Sequence, residues 1–391
     1  MIEKDTVYLL GAGFNQCVND WHGLKPPLAT NFFQTILRSE KYQTEHYSEK
    51  AHCVYEYIEK YWKKSKDDLL EQPFDLEELF TFLESQLNEA VKDRNNDKAT
   101  KLVKIYIRLT GMLDEFLSEF EITGNTSGSL KDFGDQIYKE KPTIITFNWD
   151  CILETAVESA SGVRREIPDS FRKAPNMNGD VPNEELPYSH YNWNRALAYG
   201  IKFDEVQLQR AGLSTRVDGQ KFYSHQKNKS YDWKILKLHG SLNWYRYWQP
   251  VHPDLEKRLS ADKKEDIILV DGHWHLLSPP IDNVSGWYLF PWIITPIMYK
   301  EQFYRTRPFP DLWNQAKLHL TKCSRLIVIG YSFPPTDFAV RKLLLEAFED
   351  NKLNELIVVN PDTSVMRTIK ELVHFTKPVS VCNNLKELLR M

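Results

Sequence analysis

Apolar residues run without interruption from Val7 to Leu10 and stop at Gly11-Ala12-Gly13, the pattern of a buried strand entering a glycine turn. From Asn31 to Lys139 the spacing becomes helical. Phe74 to Leu83 and Leu102 to Phe120 place apolar residues three and four apart, with charges between them. Residues 31–139 are therefore predicted to form a large helical insertion, interrupted by a polar connection from Gly124 to Gly128. Pro142 to Phe147 is a second strand, and the residues after Asp150 return to helical spacing. Residues 161–228, rich in Pro, Asn, Arg and Tyr without a sustained period, are predicted to be a second, irregular insertion with short elements. Trp233 to Leu238, Arg325 to Gly330 and Glu355 to Asn360 are three more buried-strand patterns. Apolar strands alternating with helices predict an α/β fold: a Rossmann-like doubly wound parallel sheet whose ligands gather at the carboxyl ends of the strands.

Composition narrows the function classes. A chain of 391 residues exceeds the usual size of one core, and it reads as a single domain over 1–391 enlarged by the insertions at 31–139 and 161–228. With 42% hydrophobic and 27% charged residues it has the make-up of a folded protein rather than a disordered one. A net charge of -4 supplies no general attraction to polyanions, so direct nucleic-acid binding is not expected. The first residues lack the basic and apolar regions of a signal peptide, and no apolar stretch approaches membrane-spanning length, so a cytoplasmic location without membrane attachment is expected. The five cysteines, an odd number without a C-x-x-C pair, read as free thiols rather than a zinc ribbon or disulfide framework. His273 and His275 have the spacing of one strand face but no evident further ligands, so no metal site is expected. The lysines between Lys60 and Lys66 read as a solvated helix face, and Trp244, Tyr245, Tyr247 and Trp248 as packing aromatics that could also line a pocket.

Gly11-Ala12-Gly13 alone is an unspecific signal, because any tight turn after a buried strand can require glycines. The dehydrogenase fingerprint would need a third glycine where Gln16 stands, and no lysine-containing phosphate loop is present. More specific is an ordered set: Gly11-Ala12-Gly13-Phe14-Asn15, Thr146-Phe147-Asn148-Trp149-Asp150, Leu238-His239-Gly240-Ser241, Gly330-Tyr331-Ser332 and Val359-Asn360-Pro361-Asp362. In order and kind this set resembles the sirtuin family, and within it the bacterial sirtuin-like proteins of antiviral defence, several of which are NAD hydrolases. The resemblance spans residues 8 to 362; the long insertions do not share it.

The resemblance implies that Gly11, Ala12 and Gly13 approach the NAD phosphates, with Asn15 where deacylating sirtuins commonly have serine. It places Asn148, Asp150 and His239 at the nicotinamide ribose as catalytic residues, Gly330 and Ser332 on the phosphate side, and Asn360, assisted by Asp362, at the adenosine ribose. These types suit the chemistry. Nicotinamide leaves NAD as a neutral base, so positive charge develops on the ribose and orientation matters more than acid assistance. An amide such as Asn148 holds a hydroxyl and a water without adding charge, and a histidine, with an ordinary pKa of roughly 6.5, accepts a proton near neutrality. Asp150 can favour the ribosyl cation or orient Asn148; at the start of a helix it can equally be an N-cap. The two cysteine pairs of deacylating sirtuins are absent between His239 and Gly330, so water is favoured as acceptor, giving ADP-ribose and nicotinamide. Protein deacylation, ADP-ribosyl transfer and a non-catalytic NAD sensor or assembly module are the alternatives. The resemblance further implies a homo-oligomer, with a HerA-type ATPase as a possible companion.

Overall fold

The computed structural model describes residues 5–124, 128–162, 192–210, 213–226, 231–248, 266–271, 281–282, 287–295, 304–334, 337–350 and 353–391. Among them twelve strands follow in chain order: β1 Thr6–Leu10, β2 Thr143–Thr146, β3 Glu205–Arg210, β4 Leu213–Asp218, β5 Ile235–Lys237, β6 Gly240–Trp248, β7 Ile268–Asp271, β8 Ile281–Asp282, β9 Trp287–Ile293, β10 Arg325–Ile329, β11 Glu355–Val359 and β12 Ser380–Cys382. Six of them form one sheet in the order β12-β11-β10-β1-β2-β5, and every pairing in it is parallel. Successive residues of β1, Val7 to Leu10, are all buried, so both faces of the sheet are covered. Chain order runs outward from β1 through β2 to β5 on one side and through β10, β11 and β12 on the other. The sheet is thus doubly wound, and its direction reverses between β1 and β10, where such folds open a crevice at the strand ends.

Between β1 and β2 the described chain is mostly helical from residue 29 onward. The predicted insertion contains Phe32–Arg38, Glu40–Gln43, Glu45–Trp62, Lys66–Glu71, Leu76–Lys92, Asn96–Gly124 and Gly128–Glu140. Apolar positions three and four apart bury one stripe of each long helix, as Leu76, Leu79, Phe80 and Leu83 do. No helix among the described residues is long and apolar enough to cross a membrane.

The stretch expected to be irregular, 161–228, is partly regular. It contains helices Arg195–Ala198 and Gly219–His225 and the antiparallel hairpin β3–β4. This hairpin belongs to a second sheet, β4-β3-β7-β6-β9-β8, in which β3 and β7 are parallel and the other neighbours antiparallel. The chain passes from one sheet to the other in two residues, Leu238 and His239. The passage depends on Gly240, which has φ +79° and whose missing Cβ would stand 2.1 Å from the Trp292 carbonyl oxygen. In β6, Trp244 packs edge-on against Tyr199 at 5.1 Å, so the aromatic stretch serves the core at this position. His273 and His275 lie outside the described residues.

Candidate functional site

Five neighbouring strands, β11, β10, β1, β2 and β5, deliver their carboxyl ends to one edge of the parallel sheet. Neighbouring strands lie roughly 4.8 Å apart, so four intervals make this edge about 19 Å long. A cavity of about 450 Å³ opens along it, within the range of small-molecule sites. Ala12, Gly13, Asn15, Asn148, Asp150, His239, Gly330, Ser332 and Asn360 all line the cavity. The opposite wall comes from the helical insertion and the segment leading into it: Pro27, Leu28, Phe32, Leu76, Leu113 and Leu117, with Glu77 as its carboxylate.

The glycines have a packing reason. Gly13 N donates to the Gly330 carbonyl at 2.8 Å, joining the loops after β1 and β10 at the point of reversal. Gly330 has φ +60°, and a Cβ there would lie 2.0 Å from the Gly13 carbonyl carbon. Gly11 is buried behind the cavity, where a Cβ would stand 2.4 Å from the Tyr331 ring. Gly11 therefore shapes the crevice by admitting Tyr331 and does not line it. Gln16, standing where a dehydrogenase glycine would be, donates through Nε2 to the Pro26 carbonyl at 2.6 Å and fixes the chain that leads to the opposite wall.

Asn148 is 9% exposed; its backbone N–H is held by Thr146 Oγ1 at 3.1 Å. Its side-chain Oδ1 is buried with no hydrogen-bond partner among the described residues, and so is Asn15 Oδ1. Buried acceptors left unsatisfied cost about 1–3 kcal/mol each, a deficit that a ligand hydroxyl or a bound water removes. His239 lies on the adjacent strand end, its carbonyl accepting Ile294 N at 2.8 Å and its ring 5.1 Å from that of Phe147. Phe147 stacks in turn on Tyr331 at 4.6 Å, and the Tyr331 hydroxyl donates to Asp337 Oδ2 at 2.7 Å.

Asp150 is held at both carboxyl oxygens, and neither contact is with Asn148. Its Oδ1 accepts Ile152 N at 3.1 Å in the first turn of helix Ile152–Ser161, and its Oδ2 accepts Asn15 Nδ2 at 3.2 Å beside the cavity. Burial raises its carboxyl to about 6; nearby Lys237 opposes this, and the charges of Glu154 and Glu121 add to it. At the far end, Asn360 Oδ1 accepts Asp362 N at 2.9 Å, which leaves its amide nitrogen as the group it can offer a ligand. Asp362 is exposed, accepts the N–H of Ser364, the first residue of helix Ser364–Leu372, at 2.9 Å, and is not among the residues that line the cavity.

Sequence reasoning did not single out Phe147, Tyr331 or Asp337 as site residues. The first two stand inside the motifs Thr146–Asp150 and Gly330–Ser332 and were within reach of that reading; Asp337 lies outside every motif and has no local signal. Among the described residues no group of three or more His, Cys, Asp or Glu is placed to hold a metal ion.

No family model matches the chain, and no curated protein matches it. Among solved structures, it is similar to a mutant Sir2 homologue in complex with ADP-ribose, with 12% identity, a TM-score of 0.37 and coverage of 99% of this chain and 90% of the other. It is also similar to a Sir2 homologue in complex with NAD, with 11% identity, a TM-score of 0.34 and coverage of 99% and 91%.

Proposed function

We propose that the chain binds NAD along this strand edge and hydrolyses the bond between nicotinamide and ribose, releasing ADP-ribose and nicotinamide. The observation that supports this most is the placement of Asn148, with its unsatisfied amide oxygen, beside His239 on adjoining strand ends of one cavity. The length of the edge suits a dinucleotide. Asn360 faces the adenosine ribose, Gly13, Gly330 and Ser332 face the phosphates, and Asn148, Asp150 and His239 face the nicotinamide ribose. Asn148 holds a ribose hydroxyl and the attacking water, His239 accepts the proton, and the Asp150 carboxylate favours the positive charge that develops on the ribose. As C–N cleavage proceeds, its electron pair leaves with nicotinamide, and water oxygen bonds to the anomeric carbon as its proton passes to His239. Asp362 has no part in this assignment.

The resemblance to defence proteins extends the proposal to NAD depletion in antiviral defence by a homo-oligomer, with a HerA-type ATPase as a partner. Chromatography of NAD incubated with the purified chain tests the chemistry. Nicotinamide and ADP-ribose should appear, and Asn148→Ala and His239→Ala should each remove most turnover while leaving the circular dichroism spectrum unchanged. Full turnover in either variant refutes the site assignment. NAD binding without turnover in the wild type supports the sensor reading, and a strict requirement for acyl-lysine supports the deacylase reading.

A further inference from the structure

Beneath the cavity lies a buried ionic cluster that the reaction does not touch. Lys237, the last residue of β5, is fully buried. Its Nζ donates to the Asp150 backbone carbonyl at 2.6 Å and to Glu154 Oε1 at 2.9 Å. Glu154 also accepts the Tyr199 hydroxyl at 3.1 Å. A second buried carboxylate, Glu121 of helix Asn96–Gly124, accepts Cys151 N at 2.9 Å. The Trp149 carbonyl accepts Leu242 N at 2.9 Å. The loop from Asn148 to Cys151 is thus held at successive backbone groups from three elements.

Lys237 differs from the other anchors because of where it sits. Two residues after it the same strand delivers His239, so one side chain ties the loop of Asn148 and Asp150 to the segment of His239. An isolated ammonium is expensive to bury, and a hydrogen bond to one backbone carbonyl could be made by a neutral group. The charge has a use at Asp150, whose surroundings otherwise repel a carboxylate: Glu154 from helix Ile152–Ser161 and Glu121 from helix Asn96–Gly124 are both anionic neighbours, and Lys237 from β5 is the cation opposing them. Asn15, from the loop after β1, contributes a neutral donor.

We propose that Lys237 is a positioning residue that fixes the Asn148–Asp150 loop against the strand end of His239 and sets its positive charge beside Asp150, with Glu154 as its counterweight. Its kinetic consequences rest on the NAD-cleavage reading; its effect on Asp150 does not.

The test compares wild type, Lys237→Met and Glu154→Gln, the second variant covering the case that unpaired buried carboxylates prevent the first from folding. The Asp150 carboxyl is followed by carbon-13 NMR against pH, its resonance assigned through Asp150→Asn. Its midpoint should rise by about one pH unit in Lys237→Met and fall in Glu154→Gln, because the two neighbours act in opposite directions. In turnover assays Lys237→Met should lower kcat roughly 10- to 100-fold with KM changed less than about threefold, as expected for misplacement of the reacting groups rather than lost substrate binding. The acid limb of the kcat profile should move with the NMR midpoint, upward in one variant and downward in the other. A folded Lys237→Met with an unmoved midpoint overturns the proposal, as does an unmoved midpoint in Glu154→Gln. Absence of turnover in wild type would refute NAD cleavage, and the NMR midpoints would still decide the role of Lys237.

Discussion

Replacing Asp150 by asparagine separates its effect on the fold from its effect on the reaction. Its carboxyl, 8% exposed, is raised by burial from 3.8 to about 6, despite Lys237. A carboxyl that holds its proton more tightly in the folded than in the unfolded chain stabilises the fold below the unfolded value and loses that contribution as pH rises through the folded one. The window here runs from 3.8 to about 6, and the gap corresponds to on the order of 3 kcal/mol. Asparagine imitates the neutral form. Its oxygen still accepts Ile152 N, while its amide would meet Asn15 Nδ2 donor to donor. Turning the Asn15 amide by half a turn presents Oδ1, which has no partner among the described residues, as the acceptor. Asp150→Asn should therefore gain on the order of 3 kcal/mol relative to wild type between about pH 4 and about pH 8, while kcat at the higher pH falls about 100-fold through loss of the carboxylate. Urea unfolding across the window, with the slope on denaturant unchanged, measures the first; nicotinamide release measures the second. A stability difference that stays constant with pH, or that moves toward wild type as pH rises, would refute the reasoning.

Gly330→Ala should destabilise the fold by about 3 kcal/mol or more and abolish NAD binding, because its φ of +60° and the 2.0 Å approach to Gly13 leave no room for a Cβ. Gly111→Ala, in mid-helix with nothing within 4 Å, should instead stabilise by up to ~1 kcal/mol, and thermal melts of the pair separate local strain from a general intolerance of substitution. The proposed homo-oligomer predicts that molar mass by light scattering and specific NAD-cleaving activity rise together with concentration. A monomer fully active at every dilution, with no response to a companion ATPase, would remove that part of the proposal and leave the chemistry standing.

The parallel sheet was legible because β1, β10 and β11 are buried on both faces and so read as unbroken apolar runs ending in polar or glycine residues. Helix Asn96–Gly124 was legible from its three- and four-residue spacing over many turns. The second sheet was not. Val206 is buried in β3, which pairs locally with β4, but its partner on the other side is Leu269 in β7, some 60 residues onward, and nothing local announces that pairing. β12 was missed because it is a three-residue edge strand with Val381 exposed. At the site, each motif residue stood beside a strand end and could be read there. Lys237 interrupts an apolar strand, an anomaly that a sequence does show. Its partner Glu154 and the neighbouring anion Glu121 lie on helices 83 and 30 residues away from the groups they serve, and only the fold brings them together.

The charges lining the cavity bear on which state of the reaction it favours. Glu77, Asp150 and Asp337 line it together with His239, and no lysine or arginine does so among the described residues. On the NAD-cleavage reading, the diphosphate receives no ion pair from these residues and relies on neutral donors, so the bound substrate gains little from charge complementarity. Cleavage then places positive charge on the ribose beside Asp150, where burial weakens solvent screening and strengthens the attraction. The same carboxylate repels phosphate in the ground state and attracts the ribosyl cation as it forms. Stabilisation confined to the reacting state raises kcat rather than affinity. That asymmetry gives the raised carboxyl of Asp150 a reason: its ionised form is unfavourable in the empty protein, and the developing cation relieves that state during the step that breaks the bond.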